Sequence, residues 1–138
     1  VVVTGAGRGF CGGADLNDTD NFPGLKKDGS AAPSGAAPPA PQRKVLHPMI
    51  AATQHPKIIV CAANGSVAGM GMVLALGSDI RFAEKGAKWT TAFSRRGLIA
   101  EHGLSWVLPH HLGTGNAMRL LVASEVLRAD ELHRLGLI

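Results

Sequence analysis

Two stretches of this chain repeat one arrangement: a β-branched run, a cluster of glycines, then small or apolar residues. The first is "VVVTGAGRGFCGGADL" at 1–16 and the second is "IIVCAANGSVAGMGMVLALG" at 58–77. A strand that closes on glycine and opens a helix has to turn within a few residues. Glycine supplies the backbone angles and the close approaches that a Cβ forbids. The leading N–H groups of a helix have no partner inside it, so each junction can offer donors to an anion or a polarised oxygen. In the first stretch Asp15 can cap a helix that begins after it.

The remaining elements fall in step with these two junctions. Residues 1–4 read as a buried strand, "KIIVCAANG" as another with Ile58, Ile59 and Val60 at its heart, and "DIRFA" (79–83) as a third, followed by an "EKG" turn. Residues 68–76 are small or apolar all round, the pattern of a buried helix. "GLIAE" leads into a helix around "HGLSWVL" that should stop near Pro109. "GTGNAMRLLVASE" places Ala117, Leu120 and Leu121 at helical spacing, and a last helix should start at Ala129–Asp130 and end at Gly136. Strands and helices alternate, so the fold class is α/β.

With 138 residues, 46% of them apolar, the chain can build one core. It opens on three valines without a methionine and closes on the apolar "RLGLI", so both ends read as cut and the chain as an interior piece of a larger one. Between the junctions, 17–42 is polar and rich in Pro, Ala and Gly ("SAAPSGAAPPAP"), a composition with too little to bury; a mobile loop is expected there. "RKVLHPMIAATQHP" then carries a helical stretch ending before Pro56.

Several function classes drop out. A net charge of +4 is spread along the chain, and 4% aromatic residues supply few stacking rings, so no nucleic-acid partner is expected. No stretch reaches the roughly 18 apolar residues of a membrane span, and no membrane partner is expected either. Cys11 and Cys61 suggest neither a disulfide framework nor a zinc spacing; buried free thiols in a reducing, cytoplasmic compartment are the expectation. Gly7, Gly9 and Gly12 satisfy G-x-G-x-x-G, but the acidic position of a dinucleotide site falls at Asp28, inside the Pro/Ala-rich segment, and the match fails in context. His110–His111 lacks a second ligand pair, so no metal is expected. Arg95 and Arg96 read as surface residues, with the phosphates of a ligand or a partner subunit as the other option.

Taken together, "VVVTGAGRGFCGGADL", "IIVCAANGSVAGMGMVLALGSDIRFAEKGAKW", "RRGLI" and "PHHLGTGNAMRLLVASEVLRADELHRLGLI" resemble, in order, the crotonase superfamily, the enoyl-CoA hydratase/isomerase group. The resemblance covers nearly all of the chain outside the Pro/Ala loop. It implies a spiral of ββα units, of which 1–138 would be the central part of one domain, assembled as trimers or pairs of trimers. It implies acyl-CoA substrates of fatty acid metabolism, with coenzyme A carried by the substrate and no separate cofactor, and a lyase or isomerase reaction. The oxyanion-hole donors would be the backbone N–H groups of Ala14 and Met70, the latter following Gly69. Gly13, Ala14, Asp15 and Leu16 would border the adenine end of coenzyme A.

The departures are equally informative. The two positions at which hydratases of this family carry glutamate are Val73 and Phe93 here; the resemblance still implies that both, with Gly69, border the acyl-CoA substrate, but neither can hold or deprotonate water. Glu101 stands where isomerising and dehalogenating relatives place a carboxylate. It is either the group that moves the proton, with a pKa raised by apolar neighbours, or a helix-start acid; His102 beside it points elsewhere. The expected function is proton transfer on a thioester enolate, and the alternative is a catalytically idle acyl-CoA-binding subunit that keeps the fold.

Overall fold

The computed structural model describes residues 1–15, 55–100 and 102–138. The chain divides into two compact units, Val1–Gly13 with Leu46–Ile138, and Ala14–Val45. Of the smaller unit, Ala14 and Asp15 are the described residues. The loop expected over 17–42 and nearly all of the helix expected within 43–56 lie outside the described residues.

The described strands and helices all belong to the larger unit. Strands β1 (Val2–Thr4), β2 (Val60–Ala63) and β4 (Ile80–Ala83) form a parallel sheet in the order β1-β2-β4, with Val2 beside Val60 and Val60 beside Ile80. A second sheet has the order β3-β5-β6, built from Val67–Ala68, Lys88–Thr90 and Leu127–Arg128. In it Trp89 pairs in parallel with Val67 and antiparallel with Leu127. Helix α1 (Met70–Leu76) follows β3, α2 (Leu104–Leu121) precedes β6, and α3 (Ala129–Arg134) follows it. Trp89, Met72, Leu104, Leu108, Leu120, Leu132 and Val67 are fully buried together, and the inward residues Cys61 and Ala63 of the first sheet join them.

The second junction and the last helix form as the sequence suggests. Gly71, Met72, Val73, Ala75 and Leu76 of α1 are buried, and α3 closes before Gly136, whose φ is 78°. Three readings are corrected. Residues 1–4 are not a buried strand: Val2 is 68% exposed, because β1 is an edge strand whose outer face nothing among the described residues covers. The second strand begins three residues late, at Val60. Ile58 is 65% exposed, and Ile59 trades its ladder bonds for Asp79, whose Oδ2 accepts from Ile59 N at 2.8 Å and whose N donates to Ile59 O at 2.9 Å.

Finally, the helix does not stop at Pro109. It runs past it and breaks at Gly113, where φ is 72° and ψ 160°. Proline removes one donor and strains the preceding turn, but Leu108 and Leu112 on either side are buried, and their burial offsets that cost.

Candidate functional site

Residues 10–13 and 66–71 lie side by side. Phe10 N and Cys11 N donate to Ser66 O at 3.1 and 3.3 Å, and Ala68 N returns a bond to Cys11 O at 2.9 Å, so a short ladder joins the two glycine junctions. It can close only because position 71 lacks a side chain. A Cβ there would run into the Cys11 carbonyl and lie 2.9 Å from the Cys11 Cβ. One step along, Gly13 has φ of 99°, and a Cβ on it would sit 3.2 Å from Ala68 O and 3.4 Å from Met70 N. Gly13 is therefore the point at which the first junction touches the start of α1.

The N–H groups at that start are disposed unevenly. Met72 N and Val73 N turn back to Gly69 O at 2.9 and 3.4 Å. Met70 N lies too early in the helix to reach an intrahelical acceptor, and no backbone or side-chain acceptor among the described residues takes its proton. Ala14 and Asp15, the next residues after Gly13, are exposed members of the smaller unit. Leu16 and Glu101 lie outside the described residues.

Val73 and Phe93, by contrast, are both in the apolar core, Val73 fully enclosed and Phe93 6% exposed. Phe93 leads a 3₁₀ turn at Ser94–Arg96, and its carbonyl accepts from Arg96 N at 2.9 Å and Leu98 N at 3.0 Å. Arg95 and Arg96 on that turn are exposed, in keeping with a surface role.

One residue that organises the first junction shows in the sequence only as a turn former. Asn64 Oδ1 accepts from Gly5 N at 2.9 Å and from Thr4 Oγ1 at 3.3 Å, and its Nδ2 donates to Gly7 O at 2.9 Å. Both ends of the side chain thus hold the loop that leaves β1. "Asn-Gly" after a strand reads as a turn, and nothing local betrays a partner nearly 60 residues away.

The titratable groups with displaced pKa values belong to the first sheet and to α2. Burial pushes the Cys61 thiol up to about 11, with Arg81 pulling the other way, so it stays a neutral thiol; Cys11 is half-buried, and both are free. Arg81 lies opposite Cys61 in the sheet; its Nε donates to Leu137 O at 2.8 Å and its Nη1 to Ser78 O. Burial lowers the Arg81 pKa, against the pull of Cys61 and Asp79. Burial first, then Arg81 and His110, lower the pKa of His111. His110 stacks on Trp106 with ring centroids 5.3 Å apart. Among the described residues no three His, Cys, Asp or Glu side chains gather as a metal site, and no helix is long and apolar enough to cross a membrane.

Comparison with known proteins places this geometry in context. The family model described as enoyl-CoA hydratase/isomerase matches residues 1–138. The chain is 39% identical, over 141 aligned residues, to 1,2-epoxyphenylacetyl-CoA isomerase of Escherichia coli (strain K12), covering all of this chain and 50% of that protein. It is 34% identical to the Delta(3,5)-Delta(2,4)-dienoyl-CoA isomerase of Pyricularia oryzae, again over all of this chain and 50% of the relative. The crystal structure of an enoyl-CoA hydratase from Polaromonas sp. JS666 superimposes with a TM-score of 0.77 at 29% identity, over all of this chain and 51% of that one. The chain thus spans about half the length of these relatives, and its fold is the crotonase-like α/β arrangement.

Proposed function

The chain belongs to the enoyl-CoA hydratase/isomerase family, and on that footing we propose that the complete protein isomerises an unsaturated acyl-CoA thioester rather than hydrating it. The observation that carries this is the burial of Val73 and Phe93 in the apolar core, at the two positions where the resemblance puts the hydratase carboxylates. Hydration needs one group to activate water and one to protonate carbon, and each such role is worth about 10²- to 10⁴-fold. Isomerisation needs a single base. It takes a proton from the acyl chain, the C–H electron pair moves into the thioester to give an enolate, and the proton returns at a second carbon. Two relatives are named isomerases of coenzyme A thioesters and others probable enoyl-CoA hydratases, so the names are compatible with either reaction and the burial at 73 and 93 carries the choice.

We assign the base to Glu101, eight residues after Phe93, and the enolate oxygen to the backbone N–H groups of Ala14 and Met70. The assignment is supported by Gly13, bonded to Ala14, lying against Met70 N. An oxyanion donor of this kind contributes about 10²- to 10³-fold. Gly13 to Leu16 then border the coenzyme A end of the substrate, and the assembly is a trimer or a pair of trimers.

The test is a turnover panel of enoyl-, dienoyl- and aryl-CoA thioesters with the complete protein. At least one should isomerise, crotonyl-CoA should hydrate about 10²-fold more slowly or worse, and Glu101→Gln should remove about 10²-fold or more of the isomerase rate. Rapid hydration, or wild-type activity in Glu101→Gln, overturns the reading. Ala14→Pro deletes one donor and should lower kcat by about 10²-fold or more while circular dichroism stays native; a folded variant with wild-type rates would remove Ala14 from the site. The same two apolar positions also suit an idle acyl-CoA-binding subunit. That reading predicts thioester binding with neither turnover nor exchange of acyl-chain protons with deuterated water.

A further inference from the structure

Two residues tied to the Phe93 turn, one just before it in the chain and one bonded to Ser94, are held in a conformation that side chains disfavour. Ala92 has φ of 59° and Ser124 has φ of 46°, and Ser124 is fully buried. Left-handed non-glycine residues persist where their surroundings over-determine them, and they gather at functional sites. Here the surroundings are a hydroxyl network. Thr90 Oγ1 accepts from Ala92 N at 3.3 Å and donates to Ser124 O at 3.4 Å. The Ser94 and Ser124 hydroxyls meet at 2.6 Å, and Thr91 Oγ1 donates to Leu120 O in the last turn of α2.

The network ties the segment before and after Phe93 to the end of α2, whose Leu120 is in the core. Glycine at 124 would take this φ without strain. What serine adds is the hydroxyl, and the hydroxyl reaches Ser94, the first residue of the turn that closes on the Phe93 carbonyl. We propose that Ser124, acting through Ser94, is a positioning residue that holds the Phe93 turn as a fixed wall of the acyl-chain site. This rests on the reading that Phe93 borders the acyl chain of a thioester.

A purely structural role and a positioning role part company in Ser124→Gly. That variant relieves the strained φ, so thermal stability should be equal or higher, and a structural role would leave turnover alone. Positioning predicts that kcat on the best thioester falls about tenfold with KM little changed. Ser94→Ala should do the same, the double variant should be no worse than either single one, and Ser94→Thr, which keeps a hydroxyl at an exposed position, should restore the rate. Amide exchange supplies a readout independent of activity: the Arg96, Gly97 and Leu98 amides, which bond to Phe93 O and Ser94 O, should exchange faster in Ser124→Gly. Unchanged exchange, or faster exchange with unchanged kcat, overturns the proposal. A complete wild-type protein with no turnover on any thioester instead defeats the functional reading, and exchange alone then decides whether Ser124 fixes the turn.

Discussion

The two sheets share one core but differ in what lies on their far side. In the sheet of β3, β5 and β6 the sequence alternates: Val67, Trp89 and Leu127 point inward and are buried, while Lys88 and Arg128 face away and are exposed. In the parallel sheet of β1, β2 and β4 both faces carry apolar residues, with Arg81 the one charged side chain. Cys61 and Ala63 join the core, yet on the opposite face Ile80 is 46% and Phe82 63% exposed. Apolar residues on both faces are the pattern of a parallel sheet covered twice. Alternation states which face is buried; a continuous apolar run states only that a strand is suited to burial.

The largest effect should come from the enclosed sheet. Trp89→Ala removes the largest fully buried side chain and should cost about 3–5 kcal/mol in denaturant unfolding. A loss under about 1 kcal/mol would mean that the second sheet does not anchor the core.

The inner face of the parallel sheet should show itself through pH. The Cys61 thiol has a folded pKa raised from 9.0 to about 11. Between those values an unfolded chain has ionised its thiol while the folded chain retains the proton, so unfolding releases a proton and stability falls as pH rises. Wild type should therefore lose stability from about pH 9 to about pH 11 more steeply than Cys61→Ala, measured as a difference in unfolding midpoint. Parallel profiles for the two would place the thiol in contact with water.

The smallest effect belongs to the bare face. Phe82→Thr should change the unfolding free energy of this chain by no more than about 0.5 kcal/mol, since an exposed side chain loses little. A cost of about 2 kcal/mol would mean that Phe82 is covered in solution.

Much of the scaffold was legible, and the failures have local causes. The strand–glycine–helix junctions announced themselves because glycine and β-branched residues are strong, short-range signals. Strands β3, β5 and β6 were invisible, being two or three residues long, too short for a period of two to register. Helix α2 passes Pro109 because burial of Leu108 and Leu112 decides the matter, and burial is a property of the whole fold. For the candidate site, the two junctions could be paired from sequence because both have the same grammar, whereas Ala14 and Met70 as its donors come from the family resemblance alone. Asn64, Ser94 and Ser124 could not be paired from sequence, since their partners lie 30 to 60 residues away and a serine in a left-handed conformation leaves no mark in a sequence.

The contact of Gly71 with Cys11 has a consequence for how such a chain can diverge. The separation of the two junctions is set by main chain meeting main chain, with no side chain between them to exchange. Mutation therefore cannot widen or narrow that gap in small steps; any side chain at 71 pries the pieces apart. Positions 73 and 93 are ordinary side chains, open to gradual replacement. A lineage built on this frame can exchange core side chains such as these one at a time, while the gap between the two junctions stays fixed.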